Sequence, residues 1–293
     1  MTEVNVSDIT DLKDLEERVT AATILGTMQA GFTDFHYLRD VWRKTTEKDA
    51  LIGVGMTGIA SGLVEQYDLK ELAQLVKDVN EKTAKLLGTN PAARTTTVKP
   101  SGTTSCVLGT SSGIHAWHAP FYLRTIRFNL NEPIAQYLLN YHPELVEPDQ
   151  LRPHDTLCVR IPQKAPDTAI IRDKETALTL LERVKRFNLE WVREGHRSGS
   201  NTNNVSATIS IKPDEWELVG DWMWTNMDSF NGLSVLPYDG GSYTQAPFEE
   251  LTSSQFEERL HALKSIDLRQ VMETDDNTEH AQEAACAGGT CSI

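Results

Sequence analysis

The sequence predicts an α/β fold, and three observations carry that prediction. Short runs such as Thr2-Glu3-Val4-Asn5-Val6-Ser7, Asp155-Thr156-Leu157-Cys158-Val159-Arg160-Ile161-Pro162 and Leu233-Ser234-Val235-Leu236-Pro237-Tyr238 read as strands. Longer runs of helical period lie between such segments, clearest over 69–87 and 175–194, and glycines Gly88 and Gly195 close them. Strand-like and helix-like segments alternate along the whole chain, which is the order of an α/β protein.

The elements follow in order. After the first strand, Asp8 or Thr10 caps an amphipathic helix running to about Leu25, and a second helix is expected over 34–46. The run Leu51-Ile52-Gly53-Val54-Gly55-Met56-Thr57-Gly58-Ile59 sets three glycines in apolar surroundings, which indicates close backbone packing. Gly53, Gly55 and Gly58 have the spacing of a dinucleotide fingerprint, but no strand–helix–strand unit with a suitably placed acid surrounds them. Strands are expected at 122–128 and 205–211, a short helix at 132–141, and a Trp-rich helix from Pro213 to about Trp224 whose Trp216, Trp222 and Trp224 read as core or interface aromatics. A last helix is expected over 255–264.

The 293 residues are 39% hydrophobic, enough for a buried core in one large domain or two ordinary ones. A net charge of -14 argues against broad contact with nucleic acid or a membrane surface, which both demand a basic face. No apolar run is long enough to span a bilayer and no signal-like amino terminus is present, so the expected compartment is the cytoplasm. Cys106 and Cys158 lie in apolar or small-residue contexts, and Cys158 reads as a core thiol; four cysteines so placed are not a secreted disulfide framework.

The chemistry concentrates in Lys99-Pro100-Ser101-Gly102-Thr103-Thr104-Ser105. Pro100 suits the first position of a helix, and the hydroxyls of Ser101, Thr103, Thr104 and Ser105 would surround the free N–H groups of its first turn. Gly102 would let a phosphate approach the backbone, with Lys99 adding a formal charge. A nucleotide phosphate site and an ordinary helix cap both fit this pattern. The spacing is not that of a Walker A loop, so nothing here points to ATP hydrolysis. His115 and His118 have the three-residue spacing of a helical metal pair, but Pro120 and the small neighbours favour a loop, no further ligand cluster accompanies them, and no metal site is assigned.

The composition changes near the carboxyl end. Residues 273–283 are acidic and polar, as in a solvated, mobile segment, and Cys286 and Cys291 follow across a glycine-rich stretch. That arrangement suits a redox dithiol on a tether.

Together these features are similar to a known family. The chain resembles the carboxy-terminal portion of the catalytic polypeptide of class II, adenosylcobalamin-dependent ribonucleotide reductase, most closely its monomeric ribonucleoside-triphosphate type. The resemblance is carried by Ile52 to Ile59, Thr96-Thr97-Val98-Lys99-Pro100-Ser101-Gly102-Thr103, Ile126-Arg127-Phe128, Val205-Ser206-Ala207-Thr208-Ile209, Ser234 to Ser242 and the Cys286/Cys291 tail. It implies the later part of a ten-stranded α/β barrel over 1–268, with a flexible tail over 269–293. It implies that 99–105 binds the phosphates of a ribonucleotide substrate and that Leu236 and Pro237 lie beside that substrate. Cys286 and Cys291 would rereduce an active-site disulfide and draw electrons from a thioredoxin- or glutaredoxin-like reductant. The family reaction replaces the ribose 2′-hydroxyl by hydrogen through a thiyl radical generated from adenosylcobalamin.

One departure is large. The family's radical cysteine sits in an Asn-Pro-Cys-x-Glu finger loop, and no such sequence occurs in these residues. The expectation is a split enzyme or a fragment, completed by an amino-terminal polypeptide carrying that loop. A class I relative with a diiron partner, or a non-catalytic nucleotide-binding or thiol-relay module, are the alternatives from the same residues.

Overall fold

The computed structural model describes residues 1–238 and 244–272. In chain order they form β1 (Thr2–Asn5), α1 (Leu12–Ala30), α2 (Asp40–Asp49), β2 (Val54–Thr57), α3 (Leu69–Leu87) and α4 (Gly102–Leu108). There follow β3 (Phe121–Asn129), α5 (Pro133–Tyr141), β4 (Val146–Pro148), β5 (Thr156–Lys164) and α6 (Ala177–Phe187). The chain continues with β6 (Ala207–Ile211), α7 (Trp216–Thr225), β7 (Leu233–Pro237), β8 (Phe248–Glu250) and α8 (Ser253–Ala262). Strand and helix alternate as the sequence predicts.

The sequence allows one large domain or two ordinary ones, and the described residues divide into two compact units, one of Met1–Trp117 with Thr168–Tyr238 and one of His118–Asp167 with 244–272. The first unit is a parallel array. β1 pairs with β2, from Thr2 opposite Val54 to Asn5 opposite Thr57, and β6 pairs with β7, from Ala207 opposite Leu233 to Ile211 opposite Pro237. The segment 94–98 bridges the two pairs: Val54 lies parallel to Thr96, and Val98 parallel to Val205. Backbone bonds from Val54 N to Thr95 O (2.8 Å), Thr97 N to Val54 O (3.0 Å) and Ser206 N to Val98 O (2.9 Å) make the connection continuous. Five parallel segments therefore stand in the order β1, β2, 94–98, β6, β7, and among the described residues they do not close into a barrel.

The two faces of this array differ. Val4, Val54, Met56, Val98, Val205, Ala207, Ile209 and Ile211 are buried in one core with Leu15 and Val19 of α1, Leu72 and Val76 of α3, Leu181 and Val184 of α6, Trp191 and Val219. Side chains alternate along a strand, so Glu3, Asn5, Gly55, Thr208, Ser210, Ser234 and Leu236 fall on the opposite face. That face is polar.

The helices obey local rules, with some shifts from expectation. α3 runs as predicted, with Asp68 accepting from the N–H groups of Lys70 and Glu71 and Gly88 closing it at φ 72°. α1 is capped by Asp11, which accepts from Asp14 N, and extends to Ala30. α2 starts later than expected and buries no residue. Helix α6 ends at Phe187 and passes into a π-helical turn, Asn188–Val192, which sets Trp191 in the core with its indole N–H on Thr97 O at 3.1 Å. α7 begins at Trp216, with Glu215 as its cap, and not at Pro213. Trp222 is half-buried against Phe230, whereas Trp216 and Trp224 are exposed and do not belong to the core.

The second unit carries a four-stranded antiparallel sheet in the order β4, β5, β3, β8. A small core of Tyr137, Leu138, Leu145 and Val159 lies against it. Arg160 joins Glu147 (2.8 Å) and Glu249, and Arg127 joins Asp149 at 2.7 Å. Cys158 is fully buried on β5, and burial pushes its thiol up to about 12, which removes it as a nucleophile at neutral pH.

Candidate functional site

The site is built where 94–98 leaves the parallel array. Lys99 and Pro100 carry the chain away from the sheet, and α4 starts at Gly102 and not at Pro100, as expected from the sequence. Ser101 is the N-cap, in a left-handed conformation with φ 54°, and its side chain makes no capping bond. Its hydroxyl instead donates to Lys99 O at 3.2 Å. Gly102, Thr103 and Thr104 are exposed, and their N–H groups precede the first intrahelical bond, which Ser105 N makes to Ser101 O at 2.8 Å. Ser105 is buried and turns its hydroxyl back onto Gly102 O at 3.2 Å, so it serves the helix rather than a ligand. The turn thus offers backbone donors with the hydroxyls of Thr103 and Thr104 beside them, two fewer hydroxyls than the sequence suggests, because those of Ser101 and Ser105 are committed to backbone carbonyls.

A second loop, 109–115, clamps the turn. Ser112 Oγ donates to Pro100 O, and Thr110 N to Ser105 O at 3.0 Å. Gly113, at φ 55°, packs so tightly that a Cβ there would lie 2.2 Å from Lys99 O. The loop is stitched to the end of β2 by Thr57 Oγ1 donating to Ser111 O (2.9 Å) and Gly113 N donating to Thr57 Oγ1 (3.0 Å). His115 completes the clamp on the other side. Its Nε2 accepts from Thr208 N at 3.0 Å, in the place vacated along β6 once the neighbouring segment has turned away at Pro100. Nδ1 lies 3.0 Å from Ser112 O and so carries the proton, and burial lowers the pKa further toward this neutral form. The imidazole is a backbone partner. His118, in the second unit, stacks on Phe248 at 5.2 Å. Among the described residues no group of His, Cys, Asp or Glu could hold a metal ion.

Arg183 supports the loop from behind. It donates to Ile114 O (3.1 Å), Glu65 (3.1 Å) and Glu175 (2.6 Å). Burial pushes the Glu175 carboxyl up and Arg183 opposes that shift, so the pair is held by mutual need rather than by large net stability.

Two further residues face the same side. Leu236 is exposed on the polar face beside Ser234, while Pro237, its neighbour, falls with Val235 on the other face by strand alternation. The resemblance places these two together beside a ligand; both are exposed at the end of β7, with Leu236 on the polar face. Glu3 is a residue the sequence reading passed over. Its side chain lies over Gly55, where a Cβ would come within 2.6 Å of Oε1, and both carboxylate oxygens are shut off from solvent without a hydrogen-bond partner of sound geometry. The available signal was the pairing of a charged residue in a short strand with a glycine in the next.

Cys286 and Cys291 lie outside the described residues, as do 239–243. A cavity of about 480 Å³ in the second unit is lined by Glu147, Pro148, Gln150, Arg160, Thr244, Gln245 and Glu249, none of which the sequence singles out for function.

The fold is similar to that of a solved protein. A solved B-12-dependent, class II ribonucleotide reductase superposes with a TM-score of 0.71 over 88% of this chain and 40% of that one, at 22% identity. In sequence the chain is similar to the adenosylcobalamin-dependent ribonucleoside-triphosphate reductase of Lactobacillus acidophilus, at 28% identity over 96% of this chain and 41% of that protein. The proteins of the same name from Lactobacillus helveticus and Euglena gracilis match at 27% and 26% identity, covering 88% and 85% of this chain. No protein-family model matches. The chain is thus similar to these reductases along most of its length, and it spans about two fifths of theirs.

Proposed function

We propose that this chain supplies the phosphate-binding part of a ribonucleotide reductase catalytic barrel, reducing ribonucleotides to deoxyribonucleotides together with residues it does not itself contain. The observation that carries this reading is the meeting, at the carboxyl end of the 94–98 segment, of exposed backbone donors at 102–104 with a polar sheet face. In parallel α/β sheets that end is where ligands bind. The turn would hold the substrate's phosphates through Gly102, Thr103 and Thr104, with Lys99 adjacent, and Leu236 would lie along the nucleoside.

The complementing part would carry the Asn-Pro-Cys-x-Glu loop, since none of the four cysteines has that context. An array whose β1 and β7 edges are open among the described residues is suited to receive it, because unpaired strand edges favour association. Adenosylcobalamin is the cofactor carried by the relatives' names, and in the complete enzyme it supplies radical chemistry. A corrin is a broad ring that needs an apolar bed, and the Glu3, Asn5, Thr208, Ser210 and Ser234 face offers none, so these residues are assigned to substrate and not to the cofactor. Cys286 and Cys291 would return electrons from an external thioredoxin- or glutaredoxin-like dithiol after each turnover.

The phosphate assignment has a direct test. Ser101→Gly combined with Thr103→Val removes two hydroxyls while respecting the left-handed φ at 101. With the Ser101 hydroxyl turned onto Lys99 O, the expected loss is the one Thr103 hydrogen bond to a charged group, worth about 1.5–3 kcal/mol, so KM for the ribonucleotide should rise roughly 10- to 100-fold with kcat little changed. An unchanged KM in steady-state assays of the complete enzyme rejects the assignment.

A further inference from the structure

Glu3 stands apart from every other carboxylate of the first unit. It lies in mid-strand on the polar face, sealed over Gly55, with neither oxygen accepting a well-formed hydrogen bond. A buried group of this kind normally finds a partner. The Ser101 side chain lies within reach of its carboxyl; Ser101 is the left-handed cap of the 99–105 turn and is itself left without a capping bond.

We propose that Glu3 is a proton-bearing positioning residue of the turn: as a neutral carboxylic acid it steadies Ser101 beside a bound anion, and the anion in turn holds the proton on Glu3. The inference rests on the reading of 99–105 as a phosphate site. Burial pushes Glu3 up to about 7, with the Ser101 hydroxyl and the amino-terminal charge acting against it. Among the neighbouring elements, β2 presents the uncharged Gly55, the turn carries Lys99 two residues before Ser101, and the amino group of Met1 precedes Glu3 on its own strand.

The sign of the coupling follows from linkage. A phosphate placed next to Glu3 disfavours the carboxylate and raises its pKa further, so above neutrality binding must take up a proton, and affinity must fall as pH rises. At pH 8, one unit above its free value, about nine tenths of Glu3 is ionised. Binding there should take up a large fraction of one proton.

Isothermal titration of the full chain with a ribonucleoside triphosphate, at pH 6.5 and pH 8 in buffers of different ionisation enthalpy, measures this directly. Wild type should take up most of a proton at pH 8 and bind up to about tenfold more weakly per pH unit above 7. Glu3→Gln should take up none and keep its pH 6.5 affinity at pH 8. Gly55→Ala, whose Cβ displaces the carboxylate, should also lose the uptake, and it gives the answer should Glu3→Gln fold poorly. Equal proton uptake in wild type and either folded variant overturns the proposal while leaving the phosphate site standing. No binding by any of the three proteins at either pH overturns both.

Discussion

Gly113→Ala is expected to lower stability by about 2–4 kcal/mol and to weaken ribonucleotide binding at the same time. Two costs combine. An alanine at φ 55° pays about 1–2 kcal/mol for the left-handed conformation, and its Cβ, 2.2 Å from Lys99 O, forces backbone against backbone. The second cost must be relieved by moving either Lys99 or the 109–115 loop, and both position the turn. Gly88→Ala is the matched control: φ is 72° there, but nothing lies within 4 Å of the added Cβ, so only the conformational cost of about 1–2 kcal/mol applies and binding should be untouched. Denaturant midpoints and nucleotide titrations of the two variants check the account, and equal losses at both positions would refute the role given to Gly113.

The second large effect concerns Cys286 and Cys291. Changing both to Ser should abolish multiple turnover with a protein dithiol reductant, leave the first turnover of pre-reduced enzyme intact, and preserve most activity with a small dithiol that reaches the site unaided. Quenched-flow product counts make the distinction. Loss of the first-turnover burst would assign these thiols to the chemistry itself.

How much of this could be read in advance depends on whether the cause is local. α3 is predicted to the residue because its apolar period and the closing Gly88 lie within the segment, and the Asp68 cap is equally local. The strands at 121–129, 156–164 and 233–237 are found because alternation needs no partner to be seen. The start of α4 is misjudged for an instructive reason. Pro100 is a good first helical residue in isolation, but Ser112 holds Pro100 O and Gly113 packs closely on Lys99 O, so the chain turns at Ser101 before the helix begins. Contacts across more than ten residues decide it.

The same reasoning covers the other differences. His115 and His118 look like a helical pair by spacing, yet one completes the bonding of β6 and the other stacks on Phe248. The division into two units is hidden because 118–167 packs with 244–272, and no change of composition marks either junction. Glu3 is invisible as a special residue until β1 is laid against β2, because only then does Gly55 come to lie beneath its carboxylate. The turn at 99–105 could be located from residue types, since small hydroxyl-bearing residues leave its backbone N–H groups open.

The central claim is that this chain is one part of a reductase barrel and needs the finger-loop part for chemistry. Hydrogen abstraction from a ribose carbon requires a thiyl radical held within reacting distance, and positioning of that kind accounts for many orders of magnitude in rate. The decisive measurement is deoxyribonucleotide formation by the purified chain with ribonucleoside triphosphate, adenosylcobalamin and a dithiol, alone and after mixing with a polypeptide that carries Asn-Pro-Cys-x-Glu. The account predicts no product from the chain alone, and product together with a stable complex by light scattering from the mixture. Product from the chain alone, with the finger-loop polypeptide rigorously excluded, would contradict it.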